Sequence, residues 1–165
     1  MNWLHRLCLG RPCRVIESGG KPYLVRIYLA HWGGWRLYLH KYAGADGDRW
    51  LHDHPFSALS LILSGGYDEE ILTEWSWPGA RTRYRTRRWV NWIPPSRFHR
   101  IASIRPGTWT LFLHAPHRKG WGFLHTLSES DGVLYCNPFD QSDSAGAHWW
   151  LKPGVETLAE LEADA

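Results

Sequence analysis

The chain has 165 residues, 44% of them hydrophobic, with a formal net charge of +3, which suits one folded domain with a sizeable core and excludes a disordered chain. A charge this mild, with a pI near 8.9, argues against nucleic acid as the partner, because such domains gather their cations on one face. The N-terminal apolar stretch is short and broken by His5 and Arg6, so it reads as neither signal peptide nor membrane span, and the three cysteines then predict free thiols in a reducing cytoplasm.

Residues 1–20 read as irregular, punctuated by Gly10, Pro12, Gly19 and Gly20. His5, Cys8 and Cys13 form an incomplete set whose spacing is not that of a zinc knuckle. Tyr23 to Ala30 reads as a strand, Trp32-Gly33-Gly34-Trp35 as a turn and Arg36 to Tyr42 as the partner strand. Asp46-Gly47-Asp48 is a further turn. Ser57 to Ser64 is a nearly continuous apolar run, as in a buried sandwich strand, and Tyr67 to Glu74 follows Gly65-Gly66 as the next strand. After Pro78-Gly79, the segment from Arg81 to Arg87 alternates Arg with Thr or Tyr. Period 2 puts these guanidinium groups in one column, read as a solvated edge strand in preference to a phosphate-binding stripe.

Trp89 to Ile93, Phe98 to Ile104 and Thr108 to Ala115 are three more strands, separated by Pro94-Pro95 and Arg105-Pro106-Gly107. Short strands without helical periodicity between them predict an antiparallel sandwich or barrel. Beyond Gly120-Trp121-Gly122-Phe123 the pattern weakens, with loops at Asp131-Gly132 and Asn137-Pro138. Val155, Leu158 and Leu161 sit three apart after Pro153-Gly154, which predicts a short C-terminal helix. The 12 tryptophans suit pleated surfaces and pocket walls alike. The expectation is one domain over 1–165.

The chemistry gathers at Trp50-Leu51-His52-Asp53-His54-Pro55. Histidines one residue apart in an extended segment share a face, and His99, in Pro94-Pro95-Ser96-Arg97-Phe98-His99, is a third candidate ligand. Three neutral imidazoles at one point suit a divalent transition metal.

This arrangement resembles the cupin superfamily. Its first motif, G-x5-H-x-H-x3-4-E-x6-G, finds its histidines in His52 and His54 and its closing glycine in Gly66, while Gly47 lies one residue closer than the opening glycine. Its second, G-x5-P-x-G-x2-H-x3-N, is matched by Pro94 and His99, with Ser96 and Ser103 in place of glycine and asparagine. The resemblance covers roughly Trp35 to Phe123. It implies an all-β fold: one cupin-type antiparallel β-barrel, or jelly roll, with a core about 35–125, N-terminal strands within 23–42 and a C-terminal extension over 126–165. The family's glutamate ligand falls at Ala58 or Leu59, so the metal site is expected to lack an acid.

Three neutral ligands leave the ion's charge uncompensated, favouring a small anionic or chelating substrate. Cupins resembling thiol dioxygenases hold Fe(II) in this way, which implies an Fe(II) dioxygenase-type oxidoreductase on an anionic or thiol-bearing substrate. Zn, Ni and Mn stay open, and three histidines plus water also describe a zinc hydratase or hydrolase site. Arg97 and Arg100 flank His99 as candidates for a substrate carboxylate, although alternation turns both off its face. Tyr67 and His114 are further pocket candidates. The alternatives are a non-enzymatic cupin binding a sugar or other small molecule in a Trp-lined barrel, and an isomerase or epimerase. The last needs an acid/base pair, and Asp53 points away from its flanking histidines. The resemblance also leaves a homodimer open through the strand at Tyr23 to Ala30.

Overall fold

A computed structural model describes residues 2–18, 20–45, 50–76, 79–128, 132–136 and 148–163. Alternation along the chain becomes strand where both faces find partners. The first hairpin joins β2 (Lys21–Trp32) to β3 (Trp35–Tyr42). Its two central residues, Gly33 and Gly34, have φ of 51° and 83°. Two positive φ values in succession turn the backbone with the twist of the flanking strands, which glycine does without strain.

After the hairpin come β4 (His52–Asp53), β5 (Ala58–Ser64), β6 (Tyr67–Ser76), β7 (Gly79–Arg87), β8 (Val90–Ile93), β9 (His99–Ile104) and β10 (Trp109–His114). Together with β1 (Cys13–Ser18), β11 (Gly122–Ser128) and β12 (Gly132–Cys136) they form two six-stranded sheets. One has the order β1-β2-β3-β10-β5-β8 and the other β12-β11-β4-β9-β6-β7, with antiparallel pairing throughout. From β3 to β10 the chain deals strands to the two sheets as 3-10-5-8 and 4-9-6-7, which is the connectivity of a jelly roll. The sheets face one another as a sandwich and do not close into a single hydrogen-bonded barrel.

Two apolar clusters fill the space between the sheets. One contains Tyr38, Phe56, Ala58, Ile93 and Phe112, and the other Leu24, Ile62, Tyr67 and Ile101. A third lies on the outer face of the first sheet, where Ile27, Leu39 and Trp109 pack against Cys8, Cys13 and Leu158. Cys8 and Cys13 are buried, unbridged thiols, and His5 is turned to Glu162 at 2.7 Å, so these three residues do not form a ligand set.

The C-terminal helix, α2 (Leu158–Ala163), buries Leu158 completely. It starts from a capping box: Thr157 N donates to Glu160 Oε2 at 2.7 Å, and Glu160 N donates to Thr157 Oγ1 at 3.4 Å. Val155 precedes the helix and packs on the inner cluster instead. Just upstream, a 3-10 turn at Trp149–Leu151 inserts Trp149 and Trp150 between the sheets.

The first twenty residues are more ordered than their composition predicts. α1 (Asn2–Cys8) and β1 occupy them, because β1 adds to the edge of β2 and its alternation is hidden by charge. Arg14 belongs to the inner face, 4.8 Å from the ring of Trp149, so a half-buried inward position reads as polar. β11 and β12 likewise extend the second sheet where the pattern fades. The turns expected at Asp46-Gly47-Asp48, Pro78, Asp131 and Asn137-Pro138, and the glycine at 19, lie outside the described residues. Among the described residues no helix is long and apolar enough to cross a membrane.

Candidate metal centre

β4 is only two residues long, but it is sandwiched between β9 and β11. His52 is in register with His99 on one side and with Phe123 on the other. This pairing brings the third histidine to the first, and the extended chain beyond β4 returns His54 to the same face. The three rings offer one ligand atom each within 4.8 Å of one another, and the Nε2 atoms of His54 and His99 are 2.9 Å apart. Metal–nitrogen bonds of about 2.0–2.1 Å separate two ligating nitrogens by at most about 4.2 Å, so the trio stands close to the span an ion requires.

The partners of the rings decide which nitrogens are available. His52 Nδ1 lies 3.2 Å from the carbonyl of Trp50, which can only accept, so Nδ1 holds the proton and Nε2 the lone pair. His99 Nδ1 lies 2.7 Å from Oε1 of Glu69, with the same consequence. His54 is kept neutral by burial, reinforced by its two histidine neighbours, which push its pKa well below the usual value. Unprotonated nitrogens fixed by outer hydrogen bonds are what a divalent transition metal needs. The donor set fits such an ion.

Glu69 is the acid of this centre, and it stands behind a histidine rather than beside it. Its side chain is fully buried on β6. Arg87 Nη2 lies 2.6 Å from Oε2, and Arg97 Nη1 lies 3.6 Å from Oε1. Burial pushes the carboxyl up, but the hydrogen bond and charge of His99, with Asn91 and Arg87, more than offset this and bring it to about 2. At the places where the family pattern sets its glutamate, Ala58 faces the inner core and Leu59 the outer side of the sheet, opposite Leu113 and Trp92. Neither points at the histidines.

The three rings open onto a small cavity of about 70 Å³. Of the substrate candidates, Tyr67 lines it, with its hydroxyl accepting from Asn91 Nδ2 at 3.2 Å. Arg97 lies outside the lining and donates to Asn91 Oδ1 at 3.1 Å and Trp92 O at 2.6 Å. Arg100 also lies outside and pairs with Glu70 at 2.7 Å. His114 stacks on Phe56 with ring centroids 4.0 Å apart and faces the carbonyl of Ala115 at 2.7 Å. Asp53 is turned away, bound by Gly122 N at 2.9 Å and by Lys119.

Among the described tryptophans, Trp121 alone lines the cavity, its ring 4.7 Å from that of His54. The expected Trp-lined pocket reduces to that one ring, since Trp149 and Trp150 are core and Trp32, Trp35, Trp50, Trp75, Trp89 and Trp92 are exposed. Arg26 and His40 also line the cavity. Their strands were legible in sequence, and alternation along YLVRIYLA and RLYLHKY puts both on one face, so a charged residue inside an apolar run was the available signal.

The arginine column divides. β7 is an edge strand, and Arg81, Arg83 and Arg85 are exposed; Arg81 meets Glu74 at 3.3 Å. Arg87, on the same face, reaches the buried carboxylate of Glu69.

Comparison with known protein families and with characterised proteins finds no match. Among solved structures the chain is similar to Fe(II)-HppE with an alternative substrate (11% identity, 64% of this chain, 55% of that chain, TM-score 0.47). It is also similar to oxalate decarboxylase from Bacillus subtilis (12%, 75%, 29%, 0.47). A third is Streptomyces albus HEPD with 2-hydroxyethylphosphonate and Fe(II) bound (18%, 64%, 26%, 0.47). The chain spans between about a quarter and just over half of the length of these proteins. Its jelly roll rests on its own strand order.

Proposed function

We propose that this protein is a metal-dependent enzyme of the cupin type. His52, His54 and His99 hold a divalent transition metal, Fe(II) in the first instance, and the substrate is a small anionic or thiol-bearing molecule. The observation that carries this reading is the convergence of three inward-facing imidazoles on a cavity with no Asp or Glu in its lining. An ion held by neutral ligands alone supplies a Lewis-acidic centre with open positions, and iron adds oxygen chemistry.

The protein's own groups have separate tasks. Glu69 keeps the proton of His99 on Nδ1, which orients the ring and raises its basicity. Arg87 and Arg97 keep Glu69 ionised. Trp121 and Phe123, with ring centroids 5.8 and 5.6 Å from that of His52, shield one side of the centre from water. The testing experiment is metal analysis of the purified protein together with oxygen uptake by iron-loaded protein on a panel of small thiols and acids. His99→Ala should remove the metal and leave the fold. Full metal occupancy in that variant would overturn the ligand set, and metal bound without oxygen uptake would overturn the dioxygenase chemistry.

A further inference from the structure

Across the cavity from the three histidines, the first sheet presents a polar row on its inner face. Strand registers set Arg14 beside Arg26 and Arg26 beside His40, on β1, β2 and β3. Arg26 Nε donates to His40 Nε2 at 3.2 Å. A guanidinium has donors only, so His40 Nε2 accepts and the ring proton sits on Nδ1. That N–H is buried and has no acceptor, in a residue only 2% exposed. Burial, then the charge of Arg26, pushes the ring's pKa well below the usual histidine value, which keeps this neutral tautomer at pH 7.

Arg14 Nε is a second buried donor without an acceptor. Burial, then Arg26, lowers the pKa of Arg14 to about 10, so it remains a cation at neutral pH. The lining holds Arg26 and four histidines and no carboxylate. Buried donors in folded proteins are nearly always paired. A wall that sets two unpaired buried donors, His40 Nδ1 and Arg14 Nε, beside positive charge and holds no carboxylate is complementary to an oxygen anion.

We infer that Arg26 and His40 form an oxyanion subsite facing the three histidines, one that takes a carboxylate or phosphoryl group of the substrate. Arg14 adds charge from behind. The inference deepens the proposed function by giving the substrate an acid group opposite the metal-binding end, and it rests on that reading only for this orientation. The subsite itself binds without metal, so the two stand or fall separately.

The test is a histidine-resolved ¹⁵N NMR titration of metal-free protein with acetate and with inorganic phosphate, chloride serving as control. His40 should show the Nδ1–H tautomer, and its Nδ1 signal should move saturably with at least one of the two anions. A response to acetate alone assigns a carboxylate, and one to phosphate alone a phosphoryl group. Arg26→Gln should weaken the response by about tenfold or more while zinc uptake by the three histidines is retained. Arg26→Lys, which keeps the charge and loses the Nε donor, should give an intermediate affinity and serves if the Gln variant does not fold. The inference is overturned if neither anion moves His40 saturably in the wild-type protein, or if the response survives unchanged in Arg26→Gln. Failure of metal uptake with the His40 titration intact would sink the metal reading and leave the subsite.

Discussion

Replacing Glu69 by Gln isolates what the buried carboxylate contributes. Gln keeps the volume and one acceptor but removes the charge that Arg87 meets at 2.6 Å and His99 at 2.7 Å. The carboxyl falls from an ordinary 4.5 to about 2 in the folded protein, and each unit is about 1.4 kcal/mol, so the ionised form is favoured by about 3 kcal/mol. Leaving the mostly buried Arg87 without its partner gives the same order, about 3–5 kcal/mol. Metal-free Glu69→Gln should therefore unfold about 3 kcal/mol more easily at pH 7, a drop in Tm of about 6–12 °C for a chain of this length. Because the folded pKa is depressed, this stability is fully present above pH 4.5 and is lost as pH falls through about 2, so the gap between variant and wild type should narrow below 4.5. Urea unfolding of the metal-free protein at pH 7 and at pH 3.5 measures both. Zinc titration gives a second readout: loss of an outer-shell partner should cost about 10–100-fold in affinity, and Arg87→Gln, which spares the His99 contact, should cost less. Equal unfolding midpoints for Glu69→Gln and wild type, or a gap indifferent to pH, would refute the reasoning.

Acid should weaken the metal-free protein well before the carboxylates titrate. Burial lowers His114 from 6.5 to about 3, so the unfolded chain binds the extra proton and stability declines as pH falls from 6.5 toward 3, by about 1.4 kcal/mol per pH unit from this group alone; His40 acts in the same direction. A flat unfolding free energy between pH 7 and 5 would contradict this. Ala58→Glu should fail to fold, since it places a carboxylate at a 1% exposed position of the inner core at a cost of several kcal/mol. Leu59→Glu, on the outer face, should cost about 1 kcal/mol and leave metal affinity as it was, which a metal titration checks. Arg83→Gln and Arg85→Gln should shift stability by no more than about 0.5 kcal/mol, whereas Arg87→Gln should lose about 3 kcal/mol, as read by thermal unfolding.

The strands from Tyr23 to Ala115 were legible because each alternates or runs apolar between Gly, Pro or Asp turns, and the histidine trio because two of its members share a strand face. What was hidden depends on partners distant in the chain. Arg14 makes β1 look like a loop, although Trp149 covers it. Glu69 is one of three adjacent acids, Asp68-Glu69-Glu70, with nothing in the strand pattern to single it out, and only the pairing of β6 with β9 brings it to His99. Arg97, a candidate for a substrate carboxylate although alternation turned it off the face of His99, joins that same buried network through Asn91. The family pattern directed attention to Ala58 and Leu59 for an acid, while the acid lay on the next strand.

The tryptophan pair of the 3-10 turn bears on how the chain reaches its native state. Trp150 stacks on Tyr28 with centroids 4.3 Å apart, and Trp149 and Trp150 complete a cluster begun by Tyr38 and Phe56. β3 pairs with β2 in the first hairpin but finds its second sheet neighbour only when β10 has been made. On a ribosome, the early strands therefore emerge as a hairpin whose inner face stays incompletely covered until the chain has been made as far as Trp150. Pairings of such long sequence separation slow folding to milliseconds or longer, and an uncovered aromatic face invites association in the interval. The 3-10 turn at Trp149–Leu151 thus acts as a late step in covering this face, and yield on expression should depend on how quickly Trp149 and Trp150 follow the hairpin.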